Sequence, residues 1–318
     1  MASKKKSTPA VRHLRYELTN SGTPGNETSH YIDLARDISA INRRLYRQGR
    51  AYHVKRISIV SSNTIAGFGG APDSPKVNAG RVTIGVAPDS WTVRNAWKRG
   101  FDMWNRMHKD ATTAIRGDVK GKFSDFKINL TNDFRTATKL VPKDNGGNNL
   151  LLGEWDYATL VSPDGTTSAD SLELHLLGDH VGSAGAWTSV GLVKSYGASR
   201  QTVDTDQPYT PSTASDDPIV NMFDDGTVVD EIVQLQEDEN DSPPYSRDGY
   251  AGGSSNHPKP LVVQQTTLGA DGRATVGGFT AMCGVVEIET TSSVASDVYS
   301  LLVELAPGNY RGIGAEVI

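Results

Sequence analysis

An all-β fold, an antiparallel β-sandwich interrupted by short inserted helices, is the class this 318-residue sequence predicts. Three observations carry the expectation. Short stretches of alternating apolar and polar residues recur along the chain; thirty-two glycines and many Ser, Thr and Asn supply turns between them; and two stretches show helical spacing without a regular strand–helix–strand alternation. All-β domains often run to roughly 200–250 residues as one unit, so the length suits one main domain. With 37% apolar and 22% charged residues, the chain can build a core.

Taken in order, residues 1–11 are expected to form a disordered basic arm. Lys4, Lys5 and Lys6 stand among Ser, Thr and Pro, with too little apolar surface to offset the entropy of ordering. Residues 12–318 then form the folded domain. Val11–Thr19 reads as the first strand, because Leu14, Tyr16 and Leu18 alternate with Arg15 and Glu17. After a turn-rich stretch, Asp33 is placed to cap a helix over Leu34–Gln48. Leu34, Ile38, Ile41 and Leu45 form its apolar stripe, the arginines lie off it, and Gly49 is its stop signal.

From Tyr52 the period becomes two. His53–Ser61 and Arg81–Val86 are β-branched strands separated by a Gly/Pro loop. A second helix over Trp91–Asp110 follows a cap at Asp89 or Ser90, with Val93, Trp97, Phe101, Trp104 and His108 on one stripe; that stripe is expected in the core or at a subunit contact. Gly100 weakens it by roughly 1 kcal/mol relative to Ala. Further strands are expected at Phe123–Thr131, Trp155–Val161, Ser171–Leu177, Trp187–Tyr196, Pro260–Leu268, Arg273–Val276, Gly284–Thr290 and Val298–Leu305, with a hairpin at Ala270–Gly272. Residues 200–258 read as a long acidic loop, and loops of that length are usually functional. The strand supply suffices for a single jelly roll, eight strands in two facing sheets.

Several chemistries lack their residues. One cysteine, Cys283, cannot staple the fold or build a Cys-rich zinc site, and it fits a reducing compartment. No apolar run is long enough to span a membrane, and the opening residues have no apolar segment of a secretory signal. His175, Asp179 and His180 match no strong metal spacing. The acidic clusters from Asp216 to Glu239 lack the EF-hand pattern, although calcium at a subunit interface would suit them. Glu154 and Asp156, on one face of an expected strand, could form a carboxylate pair for glycosidase-type work, but nothing else in the sequence marks a cleft. Gly67–Gly70 lacks the Lys-Ser/Thr of a phosphate loop, and no Gly-x-Ser-x-Gly elbow occurs. The expectation is a non-enzyme with no metal and no cofactor.

Charge is the more informative signal. The net charge of −5 hides a polarised chain: residues 1–60 hold twelve Lys/Arg against four Asp/Glu, and residues 201–250 hold one against thirteen. Lys4, Lys5, Lys6, Arg12, Arg15, Arg36, Arg43, Arg44, Arg47, Arg50, Lys55 and Arg56 are the expected nucleic-acid contacts. Lys and Arg bind phosphates by charge neutralisation and counterion release, and no base-reading motif accompanies them, so contact should be nonspecific.

The basic Lys4-Lys5-Lys6 opening, the strand series from Tyr52-His-Val-Lys-Arg-Ile-Ser-Ile and the tail Leu305-Ala-Pro-Gly-Asn-Tyr-Arg-Gly312 together resemble capsid proteins of circular, Rep-encoding single-stranded DNA viruses, especially unclassified environmental ones. The resemblance implies a jelly roll, a closed icosahedral shell of identical copies, a packaged single-stranded DNA genome (small RNA-virus capsids share the architecture), and residence in the virion after assembly in host nucleus or cytoplasm. Many such capsids open on a long Arg-rich arm. Here the arm is short, so the Leu34–Gln48 helix is expected to share genome contact. The alternative is a β-sandwich module binding a carbohydrate or receptor, lectin-like or on a phage tail.

Overall fold

The computed structural model of the chain describes residues 9–61, 79–114, 123–161, 171–183, 186–200, 259–269 and 271–318. Lys4–Lys6, the Gly67–Gly70 segment and the acidic stretch from residue 201 to 258 lie outside the described residues. The architecture is mostly β, with antiparallel sheets and few helices.

The first part of the chain lays down β1 (His13–Thr19), β2 (Thr28–Asp33), α1 (Leu34–Asn42), β3 (Arg50–Ser61) and β4 (Arg81–Val86). The last part returns as β9 (Leu261–Thr267), β10 (Arg273–Val276), β11 (Phe279–Met282), β12 (Val285–Thr290) and β13 (Val298–Leu305). One sheet runs β1-β13-β3-β10, with β11 extending β10 along β3; the other runs β2-β12-β4-β9. After β13 the chain makes a small excursion, β14 (Pro307–Gly308) against β15 (Gly312–Ile313), and β16 (Ala315–Val317) rejoins β3.

Alternation explains why these segments pair as they do. Leu14, Tyr16 and Leu18 of β1 and Tyr299, Leu301, Val303 and Leu305 of β13 are all buried, while their neighbours face outward. They form one continuous core with Ile32, Ile84 and Ile288 of the second sheet. Each such side chain contributes about 1.5–3 kcal/mol by leaving water. In β3 the alternation breaks: Val54 and Ile57 point inward and both Lys55 and Arg56 are exposed. The β13–β3 register slips at this point, so a bulge puts two cations side by side on the outer face.

Between β4 and β9 the chain leaves the sandwich. It forms α2 (Trp91–Ala114), α3 (Asn132–Thr136), β5 (Thr159–Val161), β6 (Ser171–His175), β7 (Val181–Ser183), β8 (Ala186–Gly191) and α4 (Leu192–Arg200). The strands make a separate small sheet, β5-β6-β8-β7, in which β6 and β8 are parallel. Its own core gathers Val93, Ala96 and Trp97 of α2 with Phe126, Ile128 and Leu174, and meets the sandwich at Tyr31, Met282 and Val285.

Several expectations are corrected here. Helix α1 ends at Asn42, not Gln48, because Arg43 adopts a left-handed conformation (φ 50°) and the Arg43 and Arg44 N–H groups close onto the Ala40 and Ser39 carbonyls. Phe123–Thr131 is irregular; its backbone meets β6 and the residues after it only through scattered bonds, Asn129 with Leu174 and Leu176 and Leu130 with Leu177. Trp155–Val161 shrinks to β5, since Trp155 and Tyr157 turn their polar tips onto Asp33. Trp187–Tyr196 is a strand only to Gly191 and then becomes α4. Ala270 of the expected Ala270–Gly272 hairpin lies outside the described residues, and the strands on either side do not pair with each other: β9 pairs with β4 and β10 with β3. The expected strands of the inserted region belong to the separate small sheet, not to the sandwich. The aromatic stripe of α2 is core at its start, where Val93 is 0% and Trp97 6% exposed, and the burial fades toward an exposed His108.

Candidate nucleic-acid interface

The expected basic residues divide into spent and unspent charges. On the outer face of the first sheet, Arg15 pairs with Glu17 at 2.7 Å, and Lys55 and Arg56 both clamp Glu304 at 2.7 Å. Hydrogen bonds from Lys55 and Arg56 hold the Glu304 carboxyl below its ordinary range. Arg12 is half-buried beside β1, and the Arg50 guanidinium lies 3.7 Å over the Tyr310 ring. Arg47 is bound to Asp125 at 2.6 Å. Arg36 is a structural cation: its Nε donates to Asp37 at 2.8 Å and an Nη to the Leu140 carbonyl at 2.5 Å. Arg43 and Arg44 remain exposed and make no ion pair among the described residues. The nine of these residues that the structure describes therefore do not form one patch. The structure separates the outer-sheet group from those on and just after α1.

What fixes α1 is a buried polar knot at its N-terminus. Asp33 caps the helix by accepting from the Arg36 backbone N–H at 3.0 Å. Its other oxygen accepts from Gln48 Nε2 at 2.8 Å, Trp155 Nε1 at 2.9 Å and the Tyr157 hydroxyl at 3.0 Å. Asp37 accepts from the Tyr16 hydroxyl at 2.6 Å as well as from Arg36. Burial pushes the Asp33 carboxyl up and the Asp37 carboxyl up to about 7, against the Arg36 charge that favours ionisation. Gln48 Oε1 in turn accepts from the Ile128 N–H at 2.6 Å. One carboxylate thus ties strand β2, helix α1 and two segments of the insertion.

A groove of about 650 Å³ opens beside this knot. Its first wall is α1, with Arg36, and the turn after it, with Arg43 and Arg44. Trp104 and His108 of α2 form the second. Phe123, Asp125 and Lys127 contribute a third, and the 152–159 segment closes it with Glu154, Trp155 and Asp156. Phe123 is 76% exposed, whereas Lys127 is only 8% exposed and stands 4.7 Å over the Trp155 ring. Of the groove residues, only the three arginines belong to the expected basic set. Lys127 and Asp125 sit in a run that reads from sequence as a strand, and no local pattern marks them as a wall.

The rival chemistries fare as follows. Both ring nitrogens of His175 are engaged, Nδ1 with Ser189 Oγ at 2.7 Å and Nε2 with the Asp179 carbonyl at 2.8 Å. Asp179 pairs with Lys194, and His180 Nδ1 accepts from the Gly191 N–H. Among the described residues no group of three or more His, Cys, Asp or Glu could hold a metal ion. Glu154 and Asp156 are exposed on an irregular segment rather than on one face of a strand. No helix among the described residues is long and apolar enough to cross a membrane. No protein-family model, curated protein or solved structure matches this chain.

Proposed function

We propose that this chain is a single jelly-roll shell subunit, not an enzyme, that assembles with copies of itself into an icosahedral capsid and packages single-stranded DNA in a virion. The observation that carries the proposal is the strand pairing. With β11 taken as the continuation of β10 along β3 and β16 set aside, eight strands of the two sheets are numbered in chain order, as β1, β2, β3, β4, β9, β10, β12 and β13. The ladders then join one to eight, two to seven, three to six and four to five. Such nesting is one long antiparallel ribbon. Rolling it brings three against eight and four against seven, and both of those ladders also occur. This pairing supports the reading as a jelly roll, whose eight strands in two Greek keys are frequent in viral capsids and lectins.

The surface supports assembly over a solitary life. Strand β9 ends its sheet, and Leu261 and Val262 on it are 52% and 54% exposed. An apolar edge strand is a liability in a monomer and a ready contact in an oligomer. The arginines of the groove, and the one positive charge left over where Lys55 and Arg56 share Glu304, would neutralise cargo phosphates.

Electron microscopy of purified protein, with absorbance at 260 and 280 nm, tests the proposal. Closed uniform particles carrying a nucleic-acid signal are expected, and deletion of residues 1–12 should lower that signal. A monomer or small oligomer at every salt and pH would overturn the shell. The aromatic and carboxylate lining of the groove would then favour the lectin-like reading, and glycan binding would be measured next.

A further inference from the structure

We propose that the groove between α1, α2 and the 152–159 segment holds one unpaired nucleotide and prefers cytosine to thymine, with the phosphate on Arg43 and Arg44 and the base against Phe123 and Trp104. This deepens the packaging proposal and rests on it only for the origin of the strand. The volume of about 650 Å³ falls within the roughly 300–1,000 Å³ of small-ligand sites. Arg43 and Arg44 are adjacent, exposed and without ion pairs among the described residues, unlike Arg36 and Arg47. An aromatic ring as exposed as Phe123 (76%) is a natural stacking platform for a base.

Asp125 supplies the base preference. Its side chain is only 6% exposed; Oδ1 is held by Arg47, and Oδ2 is buried with no hydrogen-bond partner among the described residues. An orphan buried acceptor is costly and calls for a donor. Cytosine offers its N4 amino group, the donor that carboxylates read in nucleic acids. The N3–H of thymine is flanked by two carbonyl oxygens, and Asp125, Glu154 and Asp156 would repel them. A neutral sugar would satisfy the acceptor but leave Arg43 and Arg44 unused.

Fluorescence anisotropy of the full chain with labelled ten-residue oligo-dC and oligo-dT, which carry equal charge, reads the proposal directly. Oligo-dC should bind several-fold tighter. Phe123→Ala, at an exposed position, should weaken both by about tenfold. The Arg43→Ala/Arg44→Ala double variant should weaken both and reduce the salt slope by about 0.7, for the one phosphate no longer neutralised. Asp125→Asn should abolish the preference for dC. Equal binding of the two oligonucleotides with no effect of Phe123→Ala overturns the inference, as does displacement of the oligonucleotides by neutral glycans. Microscopy of the same preparations reports on the shell separately, so particles without a base preference would refute the groove alone.

Discussion

Replacing Asp33 with alanine removes the acceptor on which four hydrogen bonds converge, and the cost can be worked from the partners. Loss of the helix cap costs about 1 kcal/mol. Gln48 is fully buried, so its orphaned amide adds about 2 kcal/mol; Trp155 and Tyr157 are only partly buried, and their stranded donors add about 1 kcal/mol each. The total of about 5 kcal/mol rivals the whole stability of many domains. Tyr157→Phe is the control. It removes one donor and leaves Asp33 with three, so it should cost about 1 kcal/mol. Asp33→Asn should fall between, because its amide keeps an acceptor but turns a donor toward donors. Urea unfolding followed by tryptophan fluorescence measures all three. A cost for Asp33→Ala within about 1 kcal/mol of that for Tyr157→Phe would refute the claim that this carboxylate binds the insertion to the sandwich.

Acid should loosen the small sheet. Burial lowers the His175 pKa from 6.5 to about 4, so between those values the unfolded chain binds more protons; stability from this residue is full above pH 6.5 and falls by up to about 3 kcal/mol as pH drops to 4. Thermal melts across that window, flattened in His175→Gln, check it. Gly191→Ala should destabilise by at least about 2 kcal/mol, because a Cβ there meets the Gly178 carbonyl and the backbone has to move; calorimetry reads the loss. Glu304→Gln should leave the melting temperature nearly unchanged, since Lys55 and Arg56 are more than half exposed and water screens the pairs. The same change frees two cations, and it should steepen the salt dependence of oligonucleotide binding.

The sandwich was legible wherever one face of a strand is buried and the other wet. β1, β12 and β13 announce themselves by alternation within a residue or two of their ends, whereas β4, buried on both faces, shows in its β-branched residues instead. β2 does not, because its first half, Thr28-Ser-His, is polar and half-exposed, and only Tyr31-Ile-Asp33 turns inward. Periodicity also finds a strand without saying which sheet it joins. Leu172 and Leu174 look like sandwich residues, yet β6 pairs with β5 and β8. Asp33 was readable as a helix cap and unreadable as an anchor, since three of its donors come from Gln48, Trp155 and Tyr157. The groove was the least legible feature. Its walls come from four stretches far apart in the chain, and each stretch alone has an ordinary structural pattern.

Asp33 and the groove are linked by helix α1. The carboxylate holds the helix N-terminus, and Arg43 and Arg44 follow the last turn, nine residues of helix away. Trp155, which donates to Asp33, also lines the groove and carries Lys127 over its ring. Loosening the knot therefore shifts two walls at once, whereas Glu304 touches neither. Tyr157→Phe, mild enough to fold, should lower oligonucleotide affinity by the groove while leaving the outer-sheet contacts intact; Glu304→Gln should do the reverse. If both variants alter binding through the salt slope alone, the cargo contacts are a diffuse field of charge. If Tyr157→Phe instead changes the dC-to-dT ratio at constant slope, base recognition depends on the same carboxylate that joins the insertion to the sandwich.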